Sequence, residues 1–286
     1  MNRRTLLKSV CGGAAAFMMA SSQKKEMFIK EDQQIIDAHI HLPSPGWNGH
    51  TSFFSSADSA IKYLKELGID GAIFTTWQGV LSKTLEDLHT ANKEALRLTA
   101  KHKGFLLPGA IINPIFFDES KDWLARFRDQ GHHWVGELII DNHGFSYKSP
   151  EFMRLFEICA KNSHFVQLHQ SADIIEVAKA FPDMKIIFAH IPTIEILQEI
   201  NKHKNIYLDI SGMSGGLIIG QLELAVKTME PNRILFGTDF DNYEPRSFIA
   251  RVKSVVLEKT NQQDIFKNNL FKLLGQTKFT NYFNKG

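Results

Sequence analysis

Four histidines and two acids in this sequence could together hold a divalent cation: His39, His41, His169, His190, Glu137 and Asp239. Imidazole nitrogen and carboxylate oxygen are the donors that zinc and similar ions accept. A cation held this way brings the pKa of a bound water down to about 7 and polarises a carbonyl or phosphoryl oxygen, so the chemistry on offer is hydrolysis at neutral pH. Asp239 is then placed to accept the water's second proton and pass it to a leaving group. His39 and His41 are two residues apart, and in a strand that spacing points both side chains the same way. Alone, a His-x-His pair is weak evidence, because such pairs also arise by chance.

Position strengthens it. Eight apolar runs rich in β-branched and aromatic residues recur along the chain: Ile35 to Ile40, Gly71 to Thr75, Phe105 to Ile112, Trp134 to Ile140, Phe165 to Leu168, Lys185 to Ala189, Ile206 to Ile210 and Arg233 to Gly237. They suit buried parallel strands. Segments with helical spacing lie between them, such as Ala57, Ala60, Ile61, Leu64 and Leu67. Eight strand–helix units predict an α/β fold, a (β/α)8 TIM barrel. An open doubly wound sheet is the competing fold, but the first run leads into His-Leu-Pro-Ser-Pro-Gly-Trp and not into a glycine-rich phosphate turn. In the barrel, His169, His190 and Asp239 end the fifth, sixth and eighth runs, so they converge with His39 and His41 at the C-terminal mouth. Glu137 lies within the fourth run, where a buried carboxylate is costly unless it meets a cation. The stretch Asp264 to Leu274 predicts a final helix on the outside of the barrel.

The arrangement resembles the amidohydrolase superfamily. The likeness is carried by His39-Ile40-His41 after the first strand, a histidine ending each of the fifth and sixth, and Phe236-Gly237-Thr238-Asp239-Phe240 at the eighth. That last segment and Asn268-Asn269-Leu270-Phe271-Lys272-Leu273-Leu274-Gly275 are similar to its amidohydrolase-related branch, which includes hydrolases and non-oxidative decarboxylases. The resemblance covers residues 35 to about 275. It implies that His39, His41 and Asp239 hold one ion, that His169 completes that site or binds a second, and that His190 stands beside the reacting group as electrophile or proton carrier. Glu137 falls where hydrolytic members place a bridging carboxylate or modified lysine. The expected ion is zinc, with manganese or iron as alternatives; one ion is expected and two are allowed.

Around this site the expectations are plainer. Trp77 and Asn113 follow the second and third strands and are expected to line the substrate pocket. Asp37, two residues before His39 and so on the same strand face, is expected to orient an imidazole or to sit one layer deeper in the core. His132 and His133 start the fourth strand on the opposite face and are given no role, while His50, His89, His102, His143, His164 and His203 are expected to be solvated. Cys159 shares an apolar helix face with Phe152, Leu155 and Phe156 and reads as a packing residue.

The chain has 286 residues and a formal charge of +2 with the signs interspersed, so no basic stripe offers itself to nucleic acid. The partner expected is a small-molecule substrate; the oligomeric state is left open. Residues 1–20 carry a basic head, Arg3-Arg4-Thr5-Leu6-Leu7-Lys8, and an apolar stretch from Val10 to Ala20. This is a signal-peptide pattern, too short for a stable anchor, and its paired arginines resemble the twin-arginine export signal. Residues 21–34 read as a polar lead-in and residues 35–286 as one barrel domain, exported to the periplasm or beyond. A metal-binding protein without catalysis is the third reading, after hydrolase and decarboxylase. Mere storage of a metal needs no spare acid or base.

Overall fold

The computed structural model describes residues 33–140, 144–275 and 283. The export signal expected over residues 1–20, most of the polar lead-in and His143 lie outside the described residues.

The eight apolar runs form eight parallel strands: β1 (Ile36–Leu42), β2 (Gly71–Thr76), β3 (Leu106–Ala110), β4 (Trp134–Leu138), β5 (Phe165–His169), β6 (Lys185–Ala189), β7 (Ile206–Asp209) and β8 (Ile234–Leu235). They neighbour one another in chain order. The barrel closes where Ala38 N donates to Phe236 O at 2.8 Å, Asp239 N donates to His39 O at 2.8 Å, and Ile40 bridges to Phe240. Asp37 fastens the same seam. Its carboxylate accepts from Thr238 N at 3.1 Å, Thr238 Oγ1 at 2.6 Å and His39 N at 3.1 Å. Burial outweighs these bonds and pushes its pKa up to about 7. The last strand is shorter than its apolar run because Phe236 N–H turns away to Ile265 O, 3.0 Å distant.

Eight principal helices alternate with the strands: α1 (Ala57–Glu66), α2 (Leu85–Lys101), α3 (Phe117–Asp129), α4 (Pro150–Lys161), α5 (Asp173–Ala180), α6 (Ile194–Asn201), α7 (Gln221–Thr228) and α8 (Pro245–Val255). Local chemistry sets their starts. Ser56 accepts from Ser59 N, Thr84 from Asp87 N, and Ser149 from Phe152 N with Pro150 at the first helical position. Each helix turns one apolar stripe inward, as α1 does with Ala57, Ala60, Ile61 and Leu64, and α4 with Phe152, Leu155, Phe156 and a fully buried Cys159. No described helix is long and apolar enough to cross a membrane.

Two apolar clusters result, one between strands and helices and one inside the barrel. The inner cluster joins Ile36, Ala38, Ile73, Leu107, Ile187 and Leu235 to Leu270, Phe271, Leu273 and Leu274 of a terminal helix, α9 (Asn269–Leu274). Of the expected final helix, Asp264 to Leu274, the first part joins the outer cluster through Ile265 and Phe266, while Asn269–Leu274 does not lie on the barrel's outside. It caps the N-terminal floor, because its apolar residues fill the opening beneath the inward-facing strand residues. The mouth at the other end is left to polar groups.

Candidate metal centre

Two strand irregularities aim the key side chains. In β1 the register shifts between Asp37 and Ile40: Ile36 and Ala38 belong to the inner cluster, yet Ile40 and Leu42 join the outer one, and His39 and His41 face inward. The period of two breaks at this point, which is why Asp37 does not share the histidines' face as the sequence suggested. In β4 the register shifts between Val135 and Leu138. Gly136 sits there at φ +91 with Gln167 O only 2.2 Å from where a Cβ would be, so only glycine fits. Val135 consequently packs outward while Glu137, two residues on, points into the barrel among the imidazoles.

Glu137 is the hub. Its Oε2 lies 3.4 Å from His39 Nε2 and 3.4 Å from His41 Nε2, and those two nitrogens are 3.2 Å apart. Its Oε1 lies 3.0 Å from His169 Nδ1 and 3.3 Å from His190 Nε2, which are 3.2 Å apart. Asp239 Oδ1 stands 3.3 Å from His41 Nε2. The structure thus brings all six sequence-predicted donors together: His39, His41, His169, His190 and Glu137 form two triangles that share the Glu137 carboxylate, and Asp239 stands beside His41. Bonds of about 2.1 Å to a tetrahedral ion place its donors about 3.4 Å apart, close to the edges seen here.

The outer nitrogens fix the tautomers. Asp209, fully buried at the end of β7, accepts from His39 Nδ1 at 3.1 Å, Gln167 Nε2 at 2.8 Å, Ser211 N at 3.0 Å, His190 N at 3.3 Å and the Ser211 hydroxyl. Because Ser211 spends its proton on Asp209, it can only accept from His190 Nδ1, 2.9 Å away. His41 Nδ1 bonds to Thr75 Oγ1 at 2.9 Å. His39 and His190 therefore present bare Nε2 lone pairs to the centre, the state a metal needs. His39 Nε2 and His41 Nε2 lie 3.2 Å apart with Glu137 Oε2 3.4 Å from each, a spacing that one shared cation would fill.

The acids around these rings favour positive charge among them. Burial pushes the imidazoles down, but Glu137 and Asp209 overcome it and hold His39 well above its ordinary pKa; Asp239 and Glu137 do this for His41, and Glu137 for His190. Burial would raise the acids, yet the His39 charge holds Glu137 well below the usual range and Asp209 down at about 2. The cluster demands positive charge, and the donor set fits a divalent ion. His190 and Asp239 also adopt left-handed backbone at φ 67 and 62, costly for residues other than glycine and found where geometry serves a site.

At the rim, Trp77 lies against His41 with ring centroids 4.4 Å apart and donates from Nε1 to Asp241 Oδ1 at 2.7 Å. His50 stacks on Trp77 at 3.9 Å, which corrects the expectation that His50 is solvated; the loop after β1 folds over the mouth, tied down by Ser52 to Asp241. Asn113 is buried, and its side-chain oxygen accepts from Ile115 N at 2.9 Å, a capping task that holds the turn after β3. His164 is likewise buried at the barrel floor, not solvated. His89, His102 and His203 are half-buried against Trp123, Asp58 and Glu199. Sequence reasoning missed Asp209 and Ser211. Asp209 ends its strand as His169 ends β5, so the rule that found His169 could have found it.

Comparisons with known proteins place this geometry. No curated protein matches the sequence significantly. Solved structures share the fold at low identity. A 2,6-dihydroxybenzoate decarboxylase from Rhizobium is 16% identical with a TM-score of 0.67, covering 85% of this chain and 98% of its own. A manganese-containing dihydroxybenzoic acid decarboxylase from Polaromonas is 15% identical with a TM-score of 0.63, over 85% and 97%. A Pseudomonas putida protein assigned as a 2-pyrone-4,6-dicarboxylic acid hydrolase is 16% identical with a TM-score of 0.65, over 86% and 98%. The family model described as amidohydrolase matches residues 36–276. With that match across nearly the whole barrel, the chain belongs to the amidohydrolase family of metal-dependent enzymes.

Proposed function

We propose that this chain is a metal-dependent hydrolase that cleaves an amide, lactone or other ester-like bond in a small molecule. The observation that carries the reading is Glu137, whose two oxygens each face a separate pair of imidazoles, with Asp239 beside them at the mouth. A divalent ion bound there would supply Lewis acidity and lower the pKa of water toward about 7. His39, His41, Glu137, His169 and Asp239 would hold it; zinc is the ion we expect, with manganese and iron tested alongside. Asp239, whose side chain keeps 12% of its surface open, takes a proton and returns it to the leaving group. His190, its Nδ1 proton locked onto Ser211, offers Nε2 to the reacting group. Trp77 forms a wall over His41, and Asn113 shapes the turn beside it.

Non-oxidative decarboxylation is the second reading, favoured by the fold shared with the Rhizobium and Polaromonas decarboxylases. The test is to load the purified protein with zinc, manganese or iron and supply lactones, amides and phenolic acids. Product acid or amine without carbon dioxide supports hydrolysis; carbon dioxide from a phenolic acid replaces it with the second reading, and neither product from a metal-loaded protein leaves a binding protein. We further propose export by the twin-arginine route. Arg3→Lys with Arg4→Lys should leave the precursor in the cytoplasm, and unchanged export would refute that route.

A further inference from the structure

We infer that the substrate is uncharged away from its reacting bond and carries an apolar portion that lies on the rim of the mouth. This rests on the hydrolase reading and names the substrate class of the same site. Charge is the first ground. The described residues that follow the eight strands, 43–56, 77–84, 111–116, 139–140, 144–149, 170–172, 190–193, 210–220 and 236–244, contain two lysines, Lys83 and Lys148, and no arginine. Lys148 is paired with Asp173 at 3.0 Å, and Lys83 is exposed beside the cap of α2. The nearest guanidinium in sequence, Arg246 at the start of α8, is taken by Glu244 Oε1 at 2.8 Å and Tyr63 OH at 3.1 Å. The same face carries Glu137, Asp209, Asp239 and Asp241. Within these described segments a substrate carboxylate remote from the ion would find acids and no arginine fork; Arg154 of α4 lies beyond them, over the Phe117 ring at 4.0 Å.

Apolar surface is the second ground. Phe53, Ile115, Met213, Leu217, Ile218 and Ile219 are exposed, Phe53 and Ile219 to 90% and 89%. All six follow β1, β3 or β7, on the face where the centre opens; of the large hydrophobics exposed among the described residues, only Leu257 lies elsewhere. Exposed apolar side chains on the face where a polar site opens offer surface on which an apolar part of a ligand is removed from water. Carboxylated aromatics and dicarboxylates, after which the neighbouring enzymes are named, are the wrong complement for this rim. A lactone or ester with an alkyl or aryl portion fits it: water adds across the acyl C–O bond, its oxygen joining the acyl carbon and a proton going to the departing alkoxide oxygen.

The test is calorimetric binding to the zinc-loaded full-length protein of two matched pairs, coumarin against coumarin-3-carboxylate and δ-decalactone against δ-valerolactone. Coumarin should bind at least about tenfold tighter than its carboxylate, and δ-decalactone at least about tenfold tighter than δ-valerolactone, since each fully buried methylene contributes roughly fourfold. Leu217→Ser with Ile219→Ser should shrink the chain-length gain while melting temperature and zinc content stay unchanged. Equal or tighter binding of the carboxylate, a flat chain-length series, or no binding by any member overturns the inference. A dimer, or sedimentation with phosphatidylcholine vesicles, that those two substitutions abolish would assign the rim to another occupant and also overturn it. Selective binding without turnover would remove hydrolysis and leave the substrate class standing, whereas turnover that favours the carboxylate would do the reverse.

Discussion

The two ends of this barrel each gather histidines, and they treat them oppositely. At the mouth, His39, His41 and His190 stand among Glu137, Asp209 and Asp239, and their pKa values are driven up. At the floor, His132 and His133 precede β4 and His164 precedes β5, with no carboxylate of the described residues paired to their rings. Burial drives His132 down and His164 down to about 4. His132 Nδ1, His133 Nδ1 and His164 Nε2 have no hydrogen-bond partner among the described residues. A group of histidines is therefore not a cation site in itself; the interleaved acids make it one, by holding the rings and by supplying the negative charge that a cation balances.

Substitutions can break this contrast. His39→Ala with His41→Ala removes two donors of one triangle, and metal measured by mass spectrometry should fall from near stoichiometric to background. Retention at the wild-type level would sink the ligand assignment. Asp239→Asn should keep the fold and lose roughly a hundredfold or more in turnover on a substrate found by the panel. His190→Asn should do so with smaller loss of metal, and normal turnover in that variant would leave His190 only a structural part. Asp209→Asn removes the charge behind His39, and zinc affinity measured by chelator competition should weaken about ten- to hundredfold; an unchanged affinity would show that His39 needs no anchor.

The floor gives the smallest effect and sharpens the contrast. The folded pKa of His164, about 4, lies below its ordinary 6.5, so the unfolded chain binds more protons between those values. Stability from this residue is complete above pH 6.5 and is lost as pH falls toward 4. His164→Gln should remove on the order of 1 to 2 kcal/mol of the acid sensitivity seen by denaturant titration between pH 7 and 5. If wild type and variant lose stability in parallel, His164 is not the group responsible.

Much of this was legible in the sequence because a barrel converts strand ends into neighbours. His169, His190 and Asp239 are far from His39 in sequence, yet ending a strand was enough to bring them together. Strand periodicity served β5, where Gln167 and His169 face inward and Val166 and Leu168 outward. It failed for Asp37, since a register shift is invisible in the pattern of apolar residues, and the same kind of shift in β4 put Val135 and Glu137 on different faces. Asp209 was passed over because its run, Ile206 to Ile210, reads as core. His50 and His164 defied expectation for tertiary reasons: one is caught by Trp77 from another strand, the other is shut in where the strand leaves the floor.

Asp209 has one more consequence. A carboxylate that already accepts from five donors has no lone pair left for a substrate and cannot take up a proton without breaking several bonds at once. By burial and position it looks like a general base, yet in chemical terms it is a silent strut. An engineer redirecting this barrel to another reaction could change the rim loops freely, but would have to inherit Asp209, Gln167 and Ser211 as a single unit.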